Sequence, residues 1–198
     1  ACEGGDTESC SSLGGMYEQG NGVTRDLARA AALFQLACDQ GNARGCNNIG
    51  WMYEQGNGVT KDEKRAFALY KLACEGGNAR GCGNLGVSYQ LGIVVDKDLA
   101  RAASLYKQAC DHAIAPSCEN LGTMYEGGTG VTKDLARAAS LYKQACDGGN
   151  ARGCARLGWM YEQGNGVAKD LARAGSLYER ACEGGDTESC SSLGGMYE

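Results

Sequence analysis

The sequence has no excess of basic residues: 19 Lys and Arg stand against 24 Asp and Glu, for a formal net charge of −5. A nucleic-acid binder needs a basic face to neutralise phosphates, so that class is disfavoured. No apolar run approaches the ~20 residues that span a bilayer. No charged-then-apolar leader opens the chain, so any signal peptide is expected to have been removed or to lie outside this sequence. Histidine occurs once, at His112, which leaves little for imidazole-based metal sites or catalytic triads. Aromatics make up only 7%, with two Trp and two Phe. The β-branched residues gather at turn valines, so strands are not expected.

Two residue types are abundant. Against one Pro there are 32 Gly, and there are 12 Cys. The cysteines are Cys2, Cys10, Cys38, Cys46, Cys74, Cys82, Cys110, Cys118, Cys146, Cys154, Cys182 and Cys190, with spacings alternating strictly between 8 and 28. The resulting period of 36 has no insertion or deletion. It divides residues 1–198, read as a single solenoid, into repeats 1–36, 37–72, 73–108, 109–144 and 145–180 and a half repeat 181–198. A fixed period of this size indicates a repeat architecture in which each unit buries its apolar face only by stacking on the next.

Each unit reads as two helices. In the second, Asn42 caps a helix over Ala43 to Gln55 with Gly56 as its left-handed terminator. After the turn Asn57-Gly58-Val59-Thr60-Lys61, Asp62 caps a second helix that runs to about Glu75 and ends at Gly76-Gly77. Asp26, Asp98, Asp134 and Asp170 recur at the same place. On the first helix Leu13, Gly14 and Tyr17 lie within about 100° of arc and recur as Ile49, Gly50 and Tyr53 onward. A mid-helix Gly costs ~1 kcal/mol relative to Ala, and close helix approach is the expected reason for the column. Ala30, Leu33 and Phe34 recur as Ala66, Leu69 and Tyr70 on the second helix.

Each Cys pair joins the end of one unit's second helix to the start of the next unit's first helix. Zinc sites favour two to four intervening residues, often with His, whereas these pairs have seven. Neighbouring cysteines are therefore read as disulfides, with metal binding or free thiols the weaker alternative. Bridges of this kind require an oxidising compartment: secreted, periplasmic or cell-surface.

The pattern LG-x-MYE-x-G-x-GV-x-x-D-x-x-R-A-x-x-LY-x-x-AC, seen at Leu121 to Cys146 and Leu157 to Cys182, resembles the Sel-one-like repeat (SLR) family, a relative of the tetratricopeptide repeats. The 36-residue unit and the Cys spacing resemble the Helicobacter cysteine-rich protein subfamily. The resemblance covers the whole chain. It implies an all-α, right-handed α/α superhelical solenoid, disulfides within each Cys pair, and a secreted or periplasmic interaction scaffold. Departures are Val94 at a turn Gly, Ser88 at a Met, and the segment His112-Ala113-Ile114-Ala115-Pro116; they put local loop geometry in question.

Some members of that subfamily are described as penicillin-binding or β-lactamase proteins, which raises the question of catalytic residues. Ser-x-x-Lys occurs at Ser104–Lys107 and Ser140–Lys143, in one column where other units carry Ala32, Ala68 and Ser176. No Ser-Asp-Asn or Lys-Thr-Gly partner accompanies them. The column is read as one that tolerates small residues, and His112 as a surface loop residue. The Gly-rich turns follow no strand, so phosphate binding is not expected of them; Gly there supplies positive φ. No cofactor, metal or catalytic residue is assigned.

The first-helix face opposite the core carries Arg44, Asn48, Trp51 and Gln55; then Arg80, Asn84, Val87 and Leu91; then Pro116, Asn120, Thr123 and Gly127; then Arg152, Arg156, Trp159 and Gln163. These columns vary while the core columns do not. First helices of such repeats, stacked, line a concave face, where Asn amides, Arg and Trp could hold a protein or peptide. The competing reading packs Trp51 and Trp159 on the next repeat. Residues 1–18 are identical to 181–198, which points to a longer array, an engineered chain with matched ends, or a truncation. Head-to-tail assembly into an oligomer or filament through Leu193 and Tyr197 is the structural alternative to a binding scaffold.

Overall fold

The computed structural model describes residues 6–196. Among the described residues there are eleven α-helices and no strand: α1 (Thr7–Gln19), α2 (Leu27–Asp39), α3 (Ala43–Gln55), α4 (Glu63–Glu75), α5 (Ala79–Leu91), α6 (Leu99–Asp111), α7 (Ala115–Gly127), α8 (Leu135–Asp147), α9 (Ala151–Gln163), α10 (Leu171–Glu183) and α11 (Thr187–Met196). Odd-numbered helices are the first helices of the repeats and even-numbered ones the second. The all-helical, disulfide-stapled repeat architecture expected from the period is what the chain adopts.

Local chemistry sets the helix ends. The carboxylates of Asp26, Asp62, Asp98, Asp134 and Asp170 accept the backbone N–H three residues on, at 2.9–3.0 Å, at the start of every second helix. Each such cap is worth about 1 kcal/mol. The backbone N–H of Asp26, Asp62, Asp134 and Asp170 also donates, at 2.9 Å, to the carbonyl of Tyr17, Tyr53, Tyr125 and Tyr161 respectively. One residue thus starts the second helix and ties it to the first. Asn42, Asn78 and Asn150 cap α3, α5 and α9 through their side-chain oxygens, at 2.7–2.9 Å.

The irregular segments keep the loop geometry. Val94 (φ 70°) and Ala113 (φ 59°) occupy the left-handed region at the places where other repeats have Gly58 (φ 70°) and Gly77 (φ 85°). The backbone path is therefore common to all these turns, and at Val94 and Ala113 the side chain is strained rather than the turn rebuilt. Ile114 leaves α7 without a side-chain cap, and Pro116 stands in its first turn, where a missing N–H costs nothing.

The chain falls into two compact units, Ala1–Lys97 and Asp98–Glu198. In the first, α1 to α5 pack in chain order and the first helices α1, α3 and α5 also touch. In the second, α6 to α11 pack in chain order, with α7 also against α9. Phe34, Tyr70, Tyr106 and Tyr142 are fully buried, as are Met52, Met124 and Met160. Ser88, in the Met column, is buried too and donates to the carbonyl of Asn84.

The glycine column has the expected cause. A Cβ on Gly14 would lie 2.7 Å from Cε1 of Phe34, and one on Gly122 2.7 Å from Cε1 of Tyr142. The corresponding distances are 3.0 Å for Gly50 to Tyr70 and for Gly158 to Tyr178. The helix cost of Gly is offset by letting an aromatic ring of the partner helix lie on bare backbone. In the neighbouring Tyr column Tyr89 is buried against Phe67, and the others described are less buried than a pure core column. Tyr17, Tyr53, Tyr125 and Tyr161 are half-buried, and the guanidinium groups of Arg29, Arg65, Arg137 and Arg173 lie 4.9–5.5 Å from their ring centroids. Arg shields the ring in place of apolar packing.

Disulfides join Cys38–Cys46, Cys74–Cys82, Cys110–Cys118, Cys146–Cys154 and Cys182–Cys190, with Cα atoms 4.5–4.8 Å apart. Their sulfurs are thereby unavailable to a metal. Cys10 is also disulfide-bonded; the expected pairing with Cys2 lies outside the described residues.

Candidate binding face of the first helices

The variable stripe lies on the exposed side of the first helices. Arg44, Trp51 and Gln55 on α3 are exposed, and Asn48 is half-buried. Arg80 on α5 is exposed, Asn84 and Val87 are half-buried, and Asn120 on α7 is half-buried. On α9, Arg152 and Trp159 are exposed and Arg156 half-buried. The indoles of Trp51 and Trp159 are not enclosed by the next repeat: the two residues are 40% and 42% exposed. Leu193 is half-buried on α11; Tyr197 lies outside the described residues.

In the first unit the stripe is tied across adjacent first helices. Arg44 pairs with Glu8 of α1 at 3.1 Å, and Asn42 also donates to that carboxylate. The side chain of Asn84 donates to Oδ1 of buried Asn47 at 3.0 Å, and Asn47 in turn donates to Asn48. Gln55 donates to Glu54.

In the second unit Arg152, Arg156 and Trp159 are brought together on one wall of a cleft of about 540 Å³. The size suits a small ligand or one or two side chains of a peptide. Glu126 of α7 lies opposite, Asp186 and Glu188 close the α11 side, and Tyr178 forms part of the lining. Arg156 reaches Glu126 at 3.5 Å, and Arg152 reaches the buried Glu119 at 3.5 Å. Glu126 also accepts the phenol of Tyr142 at 2.5 Å. Asp186 accepts from the N–H and hydroxyl of Ser189, which lies buried at the cleft. The phenol of Tyr178 donates to Glu162 at 2.8 Å, and burial first, then that carboxylate, push its pKa up. It is therefore a neutral donor at any physiological pH.

Sequence reasoning found the basic and aromatic half of this cleft and missed the acidic half. Glu126 sits in the MYE part of the repeat pattern, to which no role was given, and Glu119 occupies a column that elsewhere holds Ser11, Asn47, Gly83 and Ala155. Only the departure of Glu119 from that column could have signalled it. A second cleft, of about 560 Å³, opens on the second-helix side, among Leu157, Tyr161, Arg173, Leu177 and Arg180.

The catalytic candidates are not assembled. Ser104 and Ser140 are exposed on α6 and α8, and Lys107 and Lys143 pair with Asp111 and Asp147 at 2.6 Å. His112 is the exposed C-cap of α6. Among the described residues no group of three or more His, Cys, Asp or Glu could hold a metal ion, and no helix is long and apolar enough to cross a membrane.

Helix pairs of uniform length, an Asp-capped second helix and disulfide joints define a helix-turn-helix solenoid of the tetratricopeptide-like class. The Sel1 repeat model matches residues 7–42, 43–78, 79–113, 115–150 and 151–186, and the chain belongs to the Sel1 repeat family. A Sel1 repeat protein from Oxalobacter formigenes is 30% identical with a TM-score of 0.91, over 97% of this chain and 78% of that one. A protective antigen of uropathogenic Escherichia coli strains, displaying an SLR fold, is 32% identical with a TM-score of 0.86, over 97% of this chain. The alignment spans only 41% of that antigen's length. Helicobacter pylori cysteine-rich protein B is 33% identical with a TM-score of 0.55, over 68% of this chain and 97% of that one. No curated protein matches significantly. The Sel1 repeat fold is that of a scaffold and is consistent with a protein-interaction role. The disulfides and the likeness to the Helicobacter protein indicate an oxidising, extracytoplasmic compartment.

Proposed function

We propose that this protein is a non-enzymatic scaffold, secreted, periplasmic or displayed at the cell surface, that binds proteins or peptides on the exposed face of its first helices. The observation that carries the reading is the pair of half-exposed indoles, Trp51 and Trp159, at equivalent places in two repeats. A large aromatic left half in water, with guanidinium, amide and carboxylate groups beside it, is the composition of an interface hot spot. Disulfides at the repeat joints favour the reading, because they stiffen each joint and lower the ordering cost of binding.

The test is selection of peptide ligands from a random displayed library by the disulfide-intact protein. Affinities are then measured for Trp51→Ala, Trp159→Ala and the double variant. Selected peptides should lose about tenfold or more in affinity to at least one variant. Peptides that bind the double variant as tightly as the parent, or the absence of any selected peptide, would overturn the reading.

A further inference from the structure

The two indoles stand at equivalent repeat positions and differ in the charge around them. Around Trp159 the cleft carries three carboxylates, Glu126, Asp186 and Glu188, and two guanidiniums, Arg152 and Arg156. Three repeats earlier, around Trp51, the places of the three carboxylates hold Glu18, Asn78 and Arg80, and those of the guanidiniums hold Arg44 and Asn48. The balance therefore shifts, from an excess of acid at Trp159 to no excess at Trp51, where Glu8 also stands, paired with Arg44.

The geometry at Trp159 sharpens this. Both arginines are engaged from the α7 side, Arg152 by Glu119 and Arg156 by Glu126. Asp186 is held by the N–H and hydroxyl of Ser189, uncharged donors that fix the carboxylate without neutralising it. Among the described residues neither Asp186 nor Glu188 takes part in an ion pair. An exposed indole with two uncompensated carboxylates on the α11 side is complementary to a cation, since the indole face attracts positive charge and the acids supply the counter-ion.

We propose that the Trp159 cleft receives a lysine or arginine side chain of an extended peptide, lying against the indole with its charge toward Asp186 and Glu188. The Trp51 face rejects the same side chain through Arg80, which stands where the Trp159 cleft has Glu188. This rests on the reading of the first-helix face as a binding surface.

The experiment uses the full, disulfide-intact chain and capped peptides Gly-Gly-Xaa-Gly-Gly, with Xaa lysine, arginine, norleucine or glutamate. With excitation selective for tryptophan over the tyrosines, Trp51→Phe reports Trp159 alone and Trp159→Phe reports Trp51 alone. The lysine and arginine peptides should change Trp159 emission saturably and about tenfold more tightly than norleucine. Glu188→Gln should weaken that binding, Glu188→Arg should abolish it, and added salt should weaken it progressively. Circular dichroism of the Glu188 variants, whose side chain is exposed, should give unchanged melting. Trp51 emission should not respond to the basic peptides. Basic peptides that bind no better than norleucine, indifference to Glu188→Arg, or an equal response at Trp51 would each overturn the assignment. If the norleucine or glutamate peptide saturates Trp159 instead, the binding face stands and its charge preference falls. If no peptide binds, both fall.

Discussion

The hydroxyl of Tyr70 donates to Oε2 of Glu54 at 2.9 Å, so the ring that fills the glycine gap of the first helix also satisfies a half-buried carboxylate on it. The same bond joins Tyr178 to Glu162 at 2.8 Å and Tyr142 to Glu126. In the first repeat Phe34 fills the gap and has no hydroxyl to offer Glu18. The cleft residue Glu126 is therefore positioned from below by a core phenol, while its counterpart Glu18 is not.

Phe34→Tyr should restore this bond. A hydrogen bond to a charged acceptor is worth about 1.5 kcal/mol or more. The variant should melt a few degrees higher than the parent, about 2–4 °C for a chain of this size. A lower melting temperature would mean that the space beside Glu18 differs from that beside Glu54.

Glu18 gives a pH dependence. Partial burial holds its pKa above the usual carboxylate range, against an opposing pull from Arg25. Because the folded value is raised, the folded state binds the proton more tightly than the unfolded chain, and ionisation above that value destabilises the fold. Glu18→Gln should be more stable than the parent at neutral pH. The difference should vanish as the pH falls below the ordinary carboxylate range, where Glu18 is protonated in both states. Urea titrations at neutral and acid pH measure it.

Gly122→Ala should destabilise the protein by about 1–3 kcal/mol, because the added methyl meets the ring of Tyr142 at 2.7 Å in a full core. Gly15→Ala, with nothing within 4 Å of the added atom, should instead gain up to about 1 kcal/mol from helix propensity. Paired chemical-denaturation curves separate packing from propensity.

Removing Cys146 and Cys154 together, as the double alanine variant, should cost about 2.5 kcal/mol from the short loop released. The loss should equal the destabilisation that a reductant causes at that bridge, read by melting the parent and the variant with and without dithiothreitol. No loss would mean that the joint is held by packing alone.

Much of this was legible in one sequence because the repeat writes each physical requirement several times. Asp26, Asp62, Asp98, Asp134 and Asp170 mark the start of every second helix, and each cap depends only on residues within four positions. The glycine column and the Phe34 and Tyr70 column stood out for the same reason, although that one lies on the other is seen only in the structure. Val94 and Ala113 show the limit of local reading: turn chemistry alone leaves their conformation open, and flanking helices common to all repeats impose positive φ on them.

The binding face was legible only in part. Exposed Trp, Arg and Asn at helical spacing are visible in a linear chain, but their partners are not, since Glu119, Glu126, Asp186 and Glu188 lie on or just before the first helices one repeat away on either side. The sequence by itself determined the elements, their caps, the staples and the core columns, because those rest on short-range geometry repeated at a fixed period. Tertiary structure alone decided which charges meet across neighbouring helices, and so which carboxylates gather around Trp159, because that depends on side chains about 36 residues apart standing within a few ångströms.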